Sequence, residues 1–136
     1  MPIDIPMNIL IVDDHPTNLK LLRAQLESEG LTVLEAADGI EALSVLEREP
    51  VDAIISDVLI PNLDGFGLCR AVRHHERFSA LPFIFYTAAY TSPADAQLGR
   101  SVGSESYLIK PASPAALMEA LRAAASATAR TKTIGV

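Results

Sequence analysis

Five short apolar runs alternate with five amphipathic segments along this chain, and that alternation leaves few folds open. The runs Asn8 to Asp13, Thr32 to Ala36, Ala53 to Asp57, Phe83 to Thr87 and Ser106 to Ile109 have strand length and little room for a buried helix. Each is followed by a segment with helical spacing. Pro16 and Thr17 open the first, with Leu19, Leu22 and Leu26 on one face and Gly30 as its stop. Asp38 caps the second, whose expected buried stripe is Ile40, Leu43 and Leu46, up to Pro50. A loop with turn residues Pro61 and Asp64-Gly65 leads to a third helix over about Phe66 to His75. Ser92-Pro93-Ala94-Asp95 reads as an N-cap, a proline at N1 and an acid at N3, opening a fourth helix that stops at Gly103. Ser113-Pro114 starts the last helix, with Leu117 and Leu121 facing inward. Such a repeat predicts an α/β domain built on a parallel sheet.

The expected division is an N-terminal extension over residues 1–7, one domain over 8–127 and a polar tail over 128–136. Of 136 residues, 49% are hydrophobic, enough for one domain with its own core. The formal charge of −6 argues against nucleic acid or an anionic membrane as a general partner of this domain. No apolar run approaches the roughly 20 residues of a membrane span. Met1 to Pro6 lacks the basic stretch and apolar core of a signal peptide. The single cysteine, Cys69, excludes an internal disulfide, and its expected place is a buried helix position. Together these predict a cytoplasmic protein.

The chemistry lies at the ends of the apolar runs. Asp13 and Asp14 follow the first, Asp57 ends the third, Thr87 closes the fourth and Lys110 follows the fifth. In an open parallel sheet the carboxyl ends of the strands share one edge, where ligands bind. Right-handed crossovers leave a few doubly wound orders, and the order 2-1-3-4-5 sets the first and third strands side by side. Two carboxylates about 4 Å apart repel by about 4 kcal/mol at an effective dielectric of about 20, so three acids require a cation. Hard oxygen ligands suit Mg²⁺ (or Mn²⁺) better than zinc. Carboxylates, a divalent cation, a lysine and a hydroxyl are what phosphoryl transfer requires, and a carboxylate is itself a competent phosphoryl acceptor. Asp57, alone at its strand end and facing the pair, is the candidate nucleophile.

The strings Ile11-Val12-Asp13-Asp14, Asp57-Val58-Leu59-Ile60-Pro61-Asn62-Leu63-Asp64-Gly65, Tyr86-Thr87-Ala88 and Tyr107-Leu108-Ile109-Lys110-Pro111 resemble the response-regulator receiver domain of two-component signalling. The likeness covers about Met7 to Ala127, with its motifs in family order. It implies a flavodoxin-like (βα)5 sandwich in the order 2-1-3-4-5. It implies that Asp57 takes a phosphoryl group from a histidine kinase or histidine phosphotransfer protein. Asp14 and Asp57 would hold the metal directly with the backbone carbonyl of Leu59, and Asp13 would act largely through water. Lys110 would pair with Asp57, Thr87 would move towards the new group, and Tyr107 would rotate inward as a switch. The resemblance also implies a cis peptide at Lys110-Pro111, and a downstream protein partner at the face made by the fourth helix, fifth strand and fifth helix. The domain is expected to be a monomer or weak homodimer. It is expected to be a signalling phosphoacceptor rather than an enzyme acting on other substrates.

Several positions depart from the commonest pattern. Thr87 and Lys110 stand 23 positions apart, one more than usual, so Ala89-Tyr90-Thr91-Ser92 is expected to form a slightly longer loop. Leu59 and Ala89, two after Asp57 and Thr87, are apolar and cannot orient an attacking water. A slowly dephosphorylating domain follows. His15, beside the acids, is expected to be an exposed loop residue, and His74 and His75 to be solvated. The competing readings are a receiver-like scaffold that works without phosphorylation, and an aspartyl-nucleophile phosphatase. The phosphatase needs a second acid where this chain has Leu59.

Overall fold

The computed structural model describes residues 8–134, with side chains to residue 126. Residues 1–7, the expected N-terminal extension, lie outside it. Strands β1 (Asn8–Val12), β2 (Thr32–Ala36), β3 (Ala53–Ser56), β4 (Phe83–Thr87) and β5 (Ser106–Ile109) alternate with helices α1 (Pro16–Glu27), α2 (Gly39–Arg48), α3 (Gly65–His74), α4 (Pro93–Val102) and α5 (Pro114–Ile134). All strand pairs are parallel, in the order β2-β1-β3-β4-β5. The fold is the expected flavodoxin-like sandwich.

Strand alternation divides the core into two layers. Ile9, Ile11, Ile55 and Ile84 face α1 and α5, meeting Leu19, Leu22, Leu26, Leu117 and Leu121. Leu10, Val12, Ile54, Phe83 and Phe85 point to the other side, against Val45, Leu46, Leu68, Cys69 and Val72 of α2 and α3. The central strands β1, β3 and β4 are thereby sealed on both faces, and every β4 residue is buried.

The caps of α2 and α4 follow their sequence signals, and Asp64, expected as a turn residue, caps α3 as well. Asp38 accepts from the Glu41 N–H at 2.7 Å, and Asp64 accepts from the Gly67 N–H at 2.7 Å. Ser92 and Asp95 form a reciprocal capping box at the start of α4. Gly30 takes a φ of +87° in the turn after α1, whose C-cap is Ser28.

Two expectations need correction. Ile40 is 56% exposed and is not part of the buried stripe of α2, which is Gly39, Ala42, Val45 and Leu46. The cause is a close approach: a Cβ on Gly39 would lie 2.3 Å from the Leu63 carbonyl oxygen. The start of α2 presses on the β3–α3 loop there, and Ile40, one residue on, is turned about 100° outward. The second concerns the tail: α5 does not stop near Ala127 but continues to Ile134. An alanine-rich helix without Gly or Pro before Gly135 has nothing to end it sooner.

At the edge opposite the functional strand ends, one guanidinium gathers the chain. Arg73 donates to the carbonyls of Gly103, Ser79 and Leu81 and makes a two-pronged contact with Glu105 at 2.9 and 3.1 Å. Glu105 in turn accepts from the Phe83 N–H at 2.8 Å. Burial pushes the Glu105 carboxyl pKa upward, against these donors.

The α2 register makes a mutational prediction. Ile40→Ser should change stability by less than about 0.5 kcal/mol, as an exposed substitution does. Leu46→Ala should cost about 2–5 kcal/mol, because it empties part of a sealed core layer. Urea unfolding of the two variants checks both.

Candidate functional site

The strand ladder carries Asp13, Asp57 and Lys110 one step past their strands. The Asp13 N–H donates to the Ala36 carbonyl at 3.1 Å, Asp57 to Val12 at 2.9 Å and Lys110 to Thr87 at 2.8 Å. The site is therefore held by the sheet itself, not by free loops. Gly65 adds a second restraint, since a Cβ there would lie 2.4 Å from the Asp57 carbonyl oxygen. Only glycine lets α3 begin so close to that backbone. The β3–α3 loop is fastened further by Asn62, at φ 70°, whose amide donates to Asp38 at 2.7 Å.

Lys110 joins the two deepest acids. Its Nζ lies 2.6 Å from Asp13 Oδ2 and 2.9 Å from Asp57 Oδ2. These side chains are only 17%, 7% and 11% exposed for Lys110, Asp13 and Asp57. The other Asp57 oxygen, Oδ1, accepts from the Leu59 N–H at 3.2 Å. Asp13 is also held by the His15 N–H at 2.9 Å and by the Asn18 amide at 3.3 and 3.4 Å. Burial would raise the Asp13 pKa, but Lys110, the His15 N–H and Asn18 more than offset it, leaving it below its ordinary value. Burial likewise opposes the charged Lys110, and the two aspartates more than restore it, so its pKa is raised.

Asp14 is exposed, with its Oδ1 3.0 Å from His15 Nδ1. The His15 ring also approaches Asp13 Oδ1 at 3.4 Å. Asp13, Asp14 and His15 bring potential metal-ligating atoms within 4.8 Å of one another. His15 is exposed, as expected, but it faces both acids, a contact the sequence reading missed together with Asn18. The available signal for Asn18 was position: a polar residue in the first turn of α1, just after an acidic pair.

Thr87 is fully buried and its Oγ1 accepts from the Ala89 N–H at 3.2 Å. Tyr107 packs its ring on Phe85, with centroids 5.6 Å apart, and its hydroxyl donates to the Tyr90 carbonyl at 2.6 Å. The hydroxyls of Thr87 and Tyr107 thus bond within the β4–α4 loop and not to the acids. The Lys110-Pro111 peptide is cis. Past it, the Ala112 N–H donates to the Tyr86 hydroxyl at 2.9 Å, and Lys110 Nζ sits 5.5 Å from the Tyr86 ring centroid. His74 is exposed, whereas His75 stacks on Phe78 at 4.3 Å and meets Glu47 at 3.2 Å. A cavity of about 510 Å³ opens from Asp13, Asp57 and Lys110 along Leu21 and Leu22 of α1 to Leu59 and Ala89.

A doubly wound sheet whose carboxyl edge gathers acids around one lysine defines the class, a receiver-type α/β domain. Comparison with known proteins makes this specific: the response regulator receiver domain matches residues 9–122, and the chain belongs to that family. It is 44% identical over 112 residues to an uncharacterized 14.6 kDa protein in the sodA1 3′ region of Leptolyngbya boryana, covering 82% of this chain and 85% of that protein. It is 43% identical over 112 residues to the sensor protein EvgS of Escherichia coli (strain K12), covering 81% of this chain but 9% of that protein. Among solved structures it is similar to the receiver domain of a sensor histidine kinase from Pseudomonas aeruginosa PAO1, described with a magnesium ion coordinated in its active-site cleft. That match has a TM-score of 0.79 at 35% identity and covers 88% of this chain and 98% of the other. The family is one of signalling phosphoacceptors with kinase-type partners. No helix among the described residues is long and apolar enough to cross a membrane.

The charge arrangement fixes a pH dependence. With its folded pKa depressed, Asp13 contributes stability that is full above its unfolded value of 3.8 and lost as pH falls through the folded value. Lys110 contributes stability that is full below 10.5 and lost as pH rises through its raised folded value. In metal-free buffer, urea midpoints should therefore fall as pH drops below 3.8, and less steeply for Asp13→Asn. Lys110→Met should cost up to about 3 kcal/mol at neutral pH, because it leaves two largely buried carboxylates unpaired.

Proposed function

We propose that this chain is the phosphoacceptor module of a two-component relay, and that Asp57 receives the phosphoryl group. The observation that carries this reading is the state of the Asp57 carboxylate. One oxygen is held by Lys110, and the other faces the cavity with only a 3.2 Å backbone N–H against it. In the transfer, a P–O bond forms to an Asp57 oxygen as the donor's P–N bond breaks, with the electron pair passing to the imidazole nitrogen of a histidine kinase or histidine phosphotransfer protein. Lys110 keeps its contact with the growing negative charge, and the Thr87 hydroxyl, which accepts from Ala89, has its own proton to donate to it. Thr87 and Tyr107 then carry the change to a partner protein at the face formed by α4, β5 and α5.

The residues fit a divalent cation. Lys110 is shared by two carboxylates, a third, Asp14, lies exposed next to Asp13, and all donors are hard oxygens apart from His15. We assign Asp14, Asp57 and the Leu59 carbonyl as direct ligands, with Asp13 acting through water. Mg²⁺ (or Mn²⁺), when bound, neutralises charge on the phosphoryl oxygens. The reading includes a cytoplasmic domain that is a monomer or weak homodimer and takes no part in nucleic-acid binding itself.

Leu59 is 55% exposed and Ala89 is exposed, so neither position supplies a polar group to a water approaching phosphorylated Asp57. The phosphoryl group is therefore long-lived. Incubation with Mg²⁺ and a small acyl phosphate should add one phosphoryl group by intact mass. Asp57→Asn or chelation of the metal should abolish the gain, and addition to Asp57→Asn at the wild-type level overturns the reading. Decay of the phosphorylated protein should be slow, and Leu59→Asn should hasten it by about tenfold through orientation of the attacking water.

A further inference from the structure

Helix α4 meets the rest of the domain through a narrow contact. Gly99 is its one fully buried residue, and a Cβ at that position would lie 2.6 Å from Tyr107 Cδ2, 3.0 Å from Cε2 and 3.2 Å from Phe85 Cδ2. A glycine inside a helix costs about 1 kcal/mol relative to alanine, so helix formation alone gives no reason for it. Its role here is steric. The missing side chain leaves a notch in α4, and the edge of the Tyr107 ring fills it.

The other contacts close the same receptor. Phe85 backs the ring from the sheet, and Phe85 and Tyr90 both pack edge-on against Phe66, with centroids 5.2 and 6.3 Å away. Tyr90 belongs to the lengthened β4–α4 loop, and that loop sets the Tyr90 carbonyl 2.6 Å from the Tyr107 hydroxyl. The Ser92–Asp95 capping box holds the loop where it enters α4. Burial, with the carboxylates of Asp95 and Asp57 nearby, pushes the Tyr107 hydroxyl pKa up to about 12, so it remains a donor at physiological pH.

We infer that Gly99 is the positioning residue for Tyr107: the notch in α4 and the Tyr90 carbonyl together seat the ring. The position of the ring and the seat of α4 are then a single variable. The significance of that variable for a partner rests on the receiver reading above, whereas the notch itself does not.

The chain has three tyrosines and no tryptophan, so tyrosine ring resonances report the site directly. Spectra of the full chain are compared before and after addition of Mg²⁺ and beryllofluoride, a phosphoryl mimic. Thr87 and Lys110 resonances should shift on addition, and the Tyr107 ring should already be packed in the free protein. Gly99→Ala should expel the ring in the free protein and return the Tyr107 pKa towards its ordinary value of 10.0. Gly99→Ala should lower the melting temperature of the wild type but not that of Tyr107→Ala, because without the ring the methyl group has room. A Tyr107 ring that is solvent-exposed in the free protein, or a Gly99→Ala substitution that lowers the melting temperature equally in both backgrounds, overturns the inference. Failure of Thr87 and Lys110 to respond to the mimic overturns the phosphoacceptor reading instead, and leaves the notch standing.

Discussion

One ammonium between two carboxylates is the contact around which this domain is arranged. Lys110 reaches Asp13 and Asp57 from a strand on the far side of β4, drawing together groups that stand 97 and 53 residues from it in sequence. Without that cation, two largely buried aspartates would face each other at the mouth of a sheet already sealed on both faces. The geometry is possible because the backbone ladder runs one residue past β1, β3 and β5. Asp13, Asp57 and Lys110 are thus held by main-chain bonds as well as by their side-chain contacts.

This explains why so much of the site could be read from the chain. Strand ends are marked by where apolar runs stop, and in a parallel sheet those ends share one edge. Asp13, Asp57 and Lys110 needed only that rule to be brought together. The layered core followed from alternation, and the caps Asp38 and Ser92 followed from residue type, whereas the chain marks Asp64 only as a turn residue.

What escaped the sequence depended on contacts across elements. Ile40 has the spacing of a buried residue, but the approach of Gly39 to the Leu63 backbone turns α2 so that Ile40 faces solvent. Asn18 and His15 contact Asp13 only because α1 begins directly beneath the acids. The bond from Ala112 to the Tyr86 hydroxyl joins a loop to a strand 26 residues earlier, and neither residue carries a signal for it. Local pattern fixes which way a strand points. It does not fix how far one helix rotates against a neighbouring loop.

The Arg73 cluster has a bearing on how α4 can respond to the site. Its guanidinium binds the Gly103 carbonyl directly behind α4, while Glu105 ties the same turn to the start of β4. The helix is thus pinned at its C-terminal end and seated near its middle on an aromatic ring. These two restraints fall at the middle and the C-terminal end of α4, away from the turn that carries Ser92 and Pro93.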